Sequence, residues 1–206
     1  MVTDGEWKHP LCKAFIDGVV GLGIPSNNDY NGQHQAGVGY TQRTIQRRLR
    51  MSAARAFLNP AKSRKNLRII TRAHATSVLF SDKRAVGVAY TLGGRGGKPK
   101  EVRANREVIL CGGTVNSPQL LQLSGMGDPA LLASLGIECR HPLRGVGENL
   151  RYHYANRLAM RVKNVTTMNE RSRGWRLGAE IVKYFAGSQS ILASNPTLVF
   201  CFWHSD

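Results

Sequence analysis

The spacing of apolar residues changes along the chain and divides it into a helical region and a strand region. Near the start, Leu11, Phe15 and Val19 follow one helical stripe, which predicts a helix over 9–20. From Asn66 onward, apolar and polar residues alternate with the period of half-buried strands. The alternation predicts short strands at 67–71, 76–80, 85–90 and 101–103. We therefore expect a small antiparallel meander that leads into a larger sheet.

The next segment, residues 107–127, combines an apolar run with glycines and a Ser-Pro pair. The run at 107–111 predicts a fifth, buried strand that ends in two glycines. Ser117 is a good N-cap and Pro118 suits the first helical position, so a short helix is expected to start there. A strand, a glycine turn and a capped helix in succession let the backbone pass close to a ligand and direct a helix N-terminus toward it.

Weaker patterns complete the prediction, each of them short and bounded by turn-forming residues. They are a helix over 53–58 capped by Ser52 and closed by Asn59 and Pro60, a helix over 129–135, a loop over 145–149, a strand near 157–162, a helix near 175–185 and a strand near 199–203.

The composition of the 206 residues limits the class of protein. The chain is long enough for one large domain or two small ones, and no apolar run approaches the ~18 residues of a membrane span. We see no secretory leader, and the four cysteines are too dispersed for a metal site or a disulfide framework. A cytoplasmic protein without metal is expected, and a peripheral association with a membrane stays open.

The charge is strongly positive, with 29 Lys and Arg against 13 Asp and Glu and a net charge of +16. Residues 43–72 contain no acid, and they hold many of the cations. A basic nucleic-acid-binding protein is one interpretation, and a solvated basic face, or a surface left unpaired by missing chain, is the other. Because Phe57 alone offers stacking in this stretch and no zinc-finger or RNA-binding motif is present, we do not expect nucleic acid as a partner. No complete dinucleotide fingerprint or phosphate-binding loop is found either.

Residues 113–127, GTVNSPQLLQLSGMG, resemble the second signature of the glucose-methanol-choline (GMC) flavoprotein oxidoreductases at every position of its pattern. The likeness extends from about residue 9 to about residue 160 and is strongest to the choline-dehydrogenase-like branch. It rests on short matching stretches, namely those that begin at His9, Gly23, Asp29, Gly37, Ser52, Asn66, Ala85, Glu107 and Gly145.

The resemblance implies an α/β (α+β) fold that contains part of an FAD-binding Rossmann-like domain with an antiparallel β-meander, and the start of an antiparallel-sheet substrate domain. It assigns 1–60 to a segment joining the substrate and FAD regions, 61–153 to the FAD-binding domain and 154–206 to the start of the substrate domain. The implied function is FAD-dependent oxidation of the CH–OH group of a small-molecule alcohol. The implied FAD-binding residues are Ala75, through its backbone, and the turn of Gly112 and Gly113.

The chain also departs from the family pattern. The G-x-G-x-x-G stretch is expected before residue 1 and the catalytic histidine after residue 206, so no catalytic residue is assigned here, and none of the six histidines is interpreted as the base. Tyr152 stands where the family usually has aspartate, and local repacking over 147–153 is expected. We therefore expect a central fragment that is inactive alone, with a non-catalytic remnant as the alternative.

Overall fold

The computed structural model describes residues 2–47, 49–94, 96–154 and 158–204. The chain forms two compact units. One unit combines 1–67 with 159–206, and the other is continuous over 68–158. Helices and strands occur in both units, so the mixed α/β class expected from the sequence is confirmed.

The helical elements are short in most of the chain. The α-helices are α1 (Pro10–Gly21), α2 (Asn59–Ala61), α3 (Gly113–Leu123), α4 (Pro129–Ser134), α5 (Met168–Arg171) and α6 (Gly174–Ala186). A π-helix covers Ala54–Leu58 and a 3-10 turn covers Ile191–Ala193.

The strands range from two to nine residues. They are β1 (Thr3–Asp4), β2 (Gly37–Tyr40), β3 (Gln42–Arg43), β4 (Ile45–Gln46), β5 (Leu49–Arg50), β6 (Ala73–Ser81), β7 (Arg84–Leu92), β8 (Pro99–Arg103), β9 (Met126–Gly127), β10 (His141–Pro142) and β11 (Val199–Phe202).

The unit at 68–158 is built on a three-stranded antiparallel sheet in the order β6-β7-β8. Val78, Val88 and Val102 stand opposite one another across its three strands. Alternating apolar residues and short turn-forming loops explain this sheet, and the predicted meander is confirmed for these strands. The expected strand at 67–71 is wrong, because this stretch is irregular and has no neighbouring strand in the described part of the chain.

The segment at 107–111 also differs from its prediction. It belongs to no strand of the described residues, and Ile109 is 73% exposed, so the expected buried strand is wrong. An apolar run becomes a strand only when a neighbour accepts and donates its backbone hydrogen bonds. No described strand does so here.

Helix α3 starts at Gly113, four residues before Ser117, whereas the sequence predicted a start at the pair Ser117 and Pro118. Gly113 has φ +82°, a backbone conformation that glycine adopts at little cost, and this turns the chain directly into the helix. Pro118 consequently lies inside α3, where its ring nitrogen cannot donate to the carbonyl one turn earlier. The expected end is confirmed, since the helix stops at Ser124 and Gly125 has φ +85°.

Other local predictions have mixed outcomes. The helices at α1, α4 and α6 and the strand β11 are confirmed. The Ser52 hydroxyl accepts from the N–H of Arg55, as a cap should, but Asn59 and Pro60 do not close that helix. They begin α2 instead, because proline is tolerated in a first turn. Residues 158–162 form no strand, and the start of that prediction, residue 157, lies outside the described residues.

The unit made of 1–67 and 159–206 is joined by contacts between residues distant in sequence. Strands β2 and β11 pair antiparallel, and the fully buried Val38 lies in this pair. His9 caps α1, since its Nδ1 accepts from the N–H of Leu11, while its Nε2 lies 2.9 Å from the carbonyl oxygen of Thr166. No helix in the described ranges has the length and apolarity needed to cross a membrane.

A buried carboxylate organises the C-terminal part of the same unit. Glu180 is 2% exposed and accepts from Arg171 at 3.1 Å and from the N–H of Ile191 at 3.1 Å. The Ser190 hydroxyl donates to the backbone carbonyl of Glu180 at 2.9 Å. Burial by itself raises the pKa of Glu180, but the hydrogen bonds from Ile191, Ser190 and Arg171 prevail and lower it. The ionised carboxylate therefore fastens the 3-10 turn to α6.

Replacing Glu180 with glutamine should destabilise the chain by about 1–3 kcal/mol at neutral pH, because Arg171 loses a buried charged partner. A carboxylate with a lowered pKa contributes stability above its unfolded pKa of about 4.3 and loses it as the pH falls through the folded pKa. The difference in free energy of unfolding between wild type and Glu180→Gln, measured with urea, should therefore shrink below about pH 4. The exposed Asp17, paired with Lys13, supplies the control Asp17→Asn, which should cost little. If that difference stays constant down to acidic pH, the lowered pKa of Glu180 is contradicted.

Candidate functional site

A cavity of about 920 Å³ lies in the 68–158 unit. Its walls come mainly from the first residues of β6, the extended segment at 108–112 and one face of α3, and β7 and Gly96 complete them. The lining residues are Ala73, His74, Ala75, Thr76, Val88, Thr91, Gly96, Val108, Ile109, Leu110, Cys111, Gly112, Asn116, Ser117, Gln119, Leu120 and Leu123.

The wall at β6 is an edge strand. Among the described residues β6 pairs only with β7, so its other edge is free of a neighbouring strand. Ala75 stands opposite Tyr90, and the register shifts between Ala75 and Ser77. A bulge at an edge changes where backbone groups point, and a small side chain leaves them accessible. Ala75 is exposed, so its backbone can be reached from the cavity.

The wall at α3 presents the beginning of a helix. Gly112 occupies the N-cap position, and no side chain of the described residues caps the helix there. A side chain at Gly113 would meet no atom within 4 Å, so the turn is open. The first N–H groups of a helix lack partners within the helix and carry the positive end of its dipole. This wall therefore offers backbone donors that suit an anionic or electron-rich ligand.

Ser124 holds the end of α3 against the sheet. Its hydroxyl oxygen accepts from the buried N–H of Val78 at 2.8 Å and donates to the carbonyl of Leu120 at 2.5 Å. Both Ser124 and Val78 are buried. Since Val78 lies in β6 and Leu120 lines the cavity, this one hydroxyl sets the separation of two walls.

The lining combines apolar faces with a few neutral polar groups. Among the described lining residues there is no aspartate, glutamate, lysine or arginine. The polar side chains are His74, Thr76, Thr91, Asn116, Ser117 and Gln119. Nor does any cluster of described His, Cys, Asp and Glu side chains have a geometry that could hold a metal ion. The site suits a flat apolar group whose polar edge is recognised by backbone and amide groups.

The structure brings the sequence-predicted residues together only in part. Ala75 and Gly112 line the same cavity, and Gly113 follows as the first residue of α3. Of the six histidines, His74 alone is among the described lining residues. Tyr152 does not line the cavity and is 92% exposed, with its ring edge against the ring of His153.

Sequence reasoning missed the polar residues of α3. Asn116 and Gln119 lie three residues apart, and with Leu120 and Leu123 they place one helical face on the cavity. The spacing itself was the signal that could have found them. This signal was missed because the helix was predicted to begin at Ser117 rather than at Gly113, which left Asn116 outside it.

Comparison with protein families gives one match. The family model described as GMC oxidoreductase matches residues 1–155. Oxygen-dependent choline dehydrogenase from Cronobacter sakazakii is 43% identical over 176 residues, which are 84% of this chain and 31% of that protein. The protein of the same name from Chromohalobacter salexigens is 47% identical over 154 residues, 74% of this chain and 27% of that protein. The chain thus spans about a third of the length of the curated relatives it matches.

Solved structures with a similar fold agree with this match. An FAD-dependent oxidoreductase from Chaetomium thermophilum has a TM-score of 0.80 at 24% identity and covers 96% of this chain and 35% of that one. Pyridoxine 4-oxidase, from an organism given as Mesorbium loti, has a TM-score of 0.60 at 31% identity and covers 67% and 27% of the two chains. At 24% identity, the similarity to the Chaetomium thermophilum structure shows a shared fold alone.

Replacing Ser124 with alanine should separate the end of α3 from β6, because the buried N–H of Val78 loses its acceptor. We expect a loss of about 1–2 kcal/mol in the free energy of unfolding and faster hydrogen exchange at the amide of Val78. Urea unfolding and exchange measured by NMR test this. Ser134→Ala is the matched control, since the hydroxyl of the exposed Ser134 donates to the carbonyl of Leu131 within its own helix α4. Unchanged exchange at Val78 would show that the hydroxyl does not hold these walls together.

Proposed function

The chain belongs to the GMC oxidoreductase family, and from this membership we propose that it contributes the adenine-binding part of an FAD-dependent alcohol oxidoreductase. The single observation that carries the proposal is the cavity between β6 and α3. Residues assigned to FAD by resemblance, Ala75 and Gly112, line it together although they are distant in sequence.

The chemistry of the lining fits the adenine end of FAD. Adenine is flat, its faces are apolar, and its edge carries donors and acceptors that backbone groups can satisfy. The small side chain of Ala75 leaves room for a ring beside the strand edge. The uncapped first turn of α3 suits the electron-rich part of a dinucleotide, with Gly112 and Gly113 allowing a close backbone approach.

The division of the chain supports a more detailed assignment. We assign 61–153 to a Rossmann-like FAD-binding domain that contains the meander, and 154–206 to the start of the substrate domain, with 1–60 connecting the two regions. In support, the continuous unit at 68–158 holds the meander and the cavity, while 1–67 associates with 159–206 in the other unit.

The reaction follows from the family and from the relatives' names. The substrate is an alcohol, which loses a proton from its hydroxyl group and a hydride from its carbon to become the carbonyl product. FAD, held by the backbone of Ala75 and the turn of Gly112 and Gly113, would supply the hydride acceptor. Choline is the first alcohol to test, because two relatives are named choline dehydrogenases. The described residues contribute positioning, through the cavity walls, and none of them is assigned as the base. Nucleic-acid binding gains no support from these findings.

Filling the cavity should weaken binding of the adenine group. We expect Ala75→Phe to reduce the affinity of the chain for ADP and for FAD by about tenfold or more, since the larger ring occupies the space beside β6. Titration calorimetry with each nucleotide measures this without any turnover. Ala130→Phe, on the exposed face of α4, is the matched control and should bind as wild type does. Equal affinities for wild type and a folded Ala75→Phe variant would contradict the proposed site.

The 206-residue chain by itself is expected not to oxidise choline. Hydride transfer needs a held flavin and a base within hydrogen-bond reach of the substrate hydroxyl, and we assign no base in this chain. The test is to record the flavin spectrum after a high-salt wash and to measure choline-dependent dye reduction. Stoichiometric yellow protein with turnover would overturn this expectation, whereas ADP binding without turnover is the result that the proposal requires.

A further inference from the structure

Arg43 is a buried cation with an unpaired donor. Its side chain is 5% exposed and lies in the unit formed by 1–67 and 159–206. One terminal nitrogen donates to the carbonyl of Ala193, and the other lies 3.5 Å from a carboxylate oxygen of Glu6. The third nitrogen, Nε, is buried and has no hydrogen-bond partner among the described residues. A buried donor without an acceptor costs free energy, and native proteins usually satisfy it with a protein group or with water.

A small cavity lies beside this guanidinium. Its lining includes Arg43 itself, Gly5, Thr41, Ser194 and Asn195, and its volume is about 10 Å³. This volume is about what one water molecule requires, and it is far too small for a cofactor or a substrate. Every residue that lines it is buried or half-buried. The described chain therefore provides the walls of this cavity by itself.

The walls also offer acceptors. The Nδ2 of Asn195 donates to the carbonyl of Gln42 at 3.1 Å and to the hydroxyl of Thr41 at 3.4 Å. Its Oδ1 accepts no hydrogen bond within the described part of the chain, so this oxygen is available. The carbonyl oxygen of Thr41 lies 3.6 Å from the position that a Cβ at Gly5 would take, and both residues line the cavity. A buried water typically makes about three hydrogen bonds. The Nε–H of Arg43 and these two oxygens supply that number.

We propose that this cavity is the binding site of one structural water molecule, which accepts from the Nε–H of Arg43 and donates to oxygens of Asn195 and Thr41. The charge of Arg43 disfavours a metal cation at this position, and the carboxylate of Glu6 already balances that charge, which disfavours an anion. The water completes the hydrogen bonding of the guanidinium. It thereby supports the contact with Ala193, which joins residues 150 positions apart in sequence. The proposal does not depend on the FAD site.

Nuclear magnetic resonance of the 206-residue chain tests the proposal directly. The Nε–H proton of Arg43 should be resolved from those of exposed arginines, because its burial slows exchange with solvent. We expect a cross-relaxation signal between this proton and a long-lived water molecule, and we expect Gly5→Ala to abolish it. A resolved Nε–H proton of Arg43 without any signal to water in the wild type would overturn the proposal.

The sign of the stability change in Gly5→Ala gives a second, independent test. The added methyl group meets only the carbonyl oxygen of Thr41 within 4 Å, at an ordinary contact distance, so it enters the cavity without a clash. Displacing the water leaves the Nε–H of Arg43 unpaired and should raise the equilibrium constant for unfolding, measured with urea, by about fivefold or more. The matched control is Gly18→Ala at an exposed position of α1, where the methyl meets no atom within 4 Å. It should lower that constant, because alanine favours a helix. Stabilisation by Gly5→Ala, which is the result for a methyl group that fills a dry cavity, would overturn the proposal.

Discussion

The hydrogen bonding of Ser124 is the interaction on which the candidate site depends. One hydroxyl satisfies the buried N–H of Val78 in the edge strand and the carbonyl of Leu120 in the last turn of α3. A helix and a strand edge expose different patterns of backbone groups, and a hydroxyl that both accepts and donates can join them. Because α3 is one continuous helix, the contact at its end is linked to its uncapped beginning, 11 residues earlier, where Gly112 lines the same cavity as Ala75.

The other unit combines a small apolar core, which includes Val38, Ile191 and Phe200, with two buried charged side chains. Glu180 fastens the 3-10 turn to α6, and the guanidinium of Arg43 donates to the carbonyl of Ala193 in the same turn. The side chain of Arg43 is almost fully buried, and it also lies 3.5 Å from Glu6. A buried ion that loses its partner costs more than a lost apolar contact, so such anchors specify one arrangement strongly.

The sequence predicted those features that depend on neighbouring residues. Alternation and turn residues were sufficient for β6, β7 and β8, and the helical spacing was sufficient for the existence of α6. The failures concern distant partners: 107–111 has the composition of a strand, but no described strand bonds to it. Periodicity also could not show that α6 buries Glu180 and exposes Trp175, since that depends on Arg171 and Ile191. For the site, the resemblance supplied Ala75 and Gly112, whereas Asn116 and Gln119 required the true start of α3.

Under the proposed function, recognition by backbone groups would explain the composition of the cavity. A site that used charged side chains would need to desolvate them and then pair them, whereas edge-strand amides and a helix start are already oriented by the fold. Such a site requires small residues where the backbone must be reached, which is what Ala75, Gly112 and Gly113 provide. It follows that added bulk at these positions should impair binding more than a change of charge nearby. Because the donors belong to the main chain, their placement depends on the contact of α3 with β6, and binding at this cavity is thereby coupled to the stability of its unit.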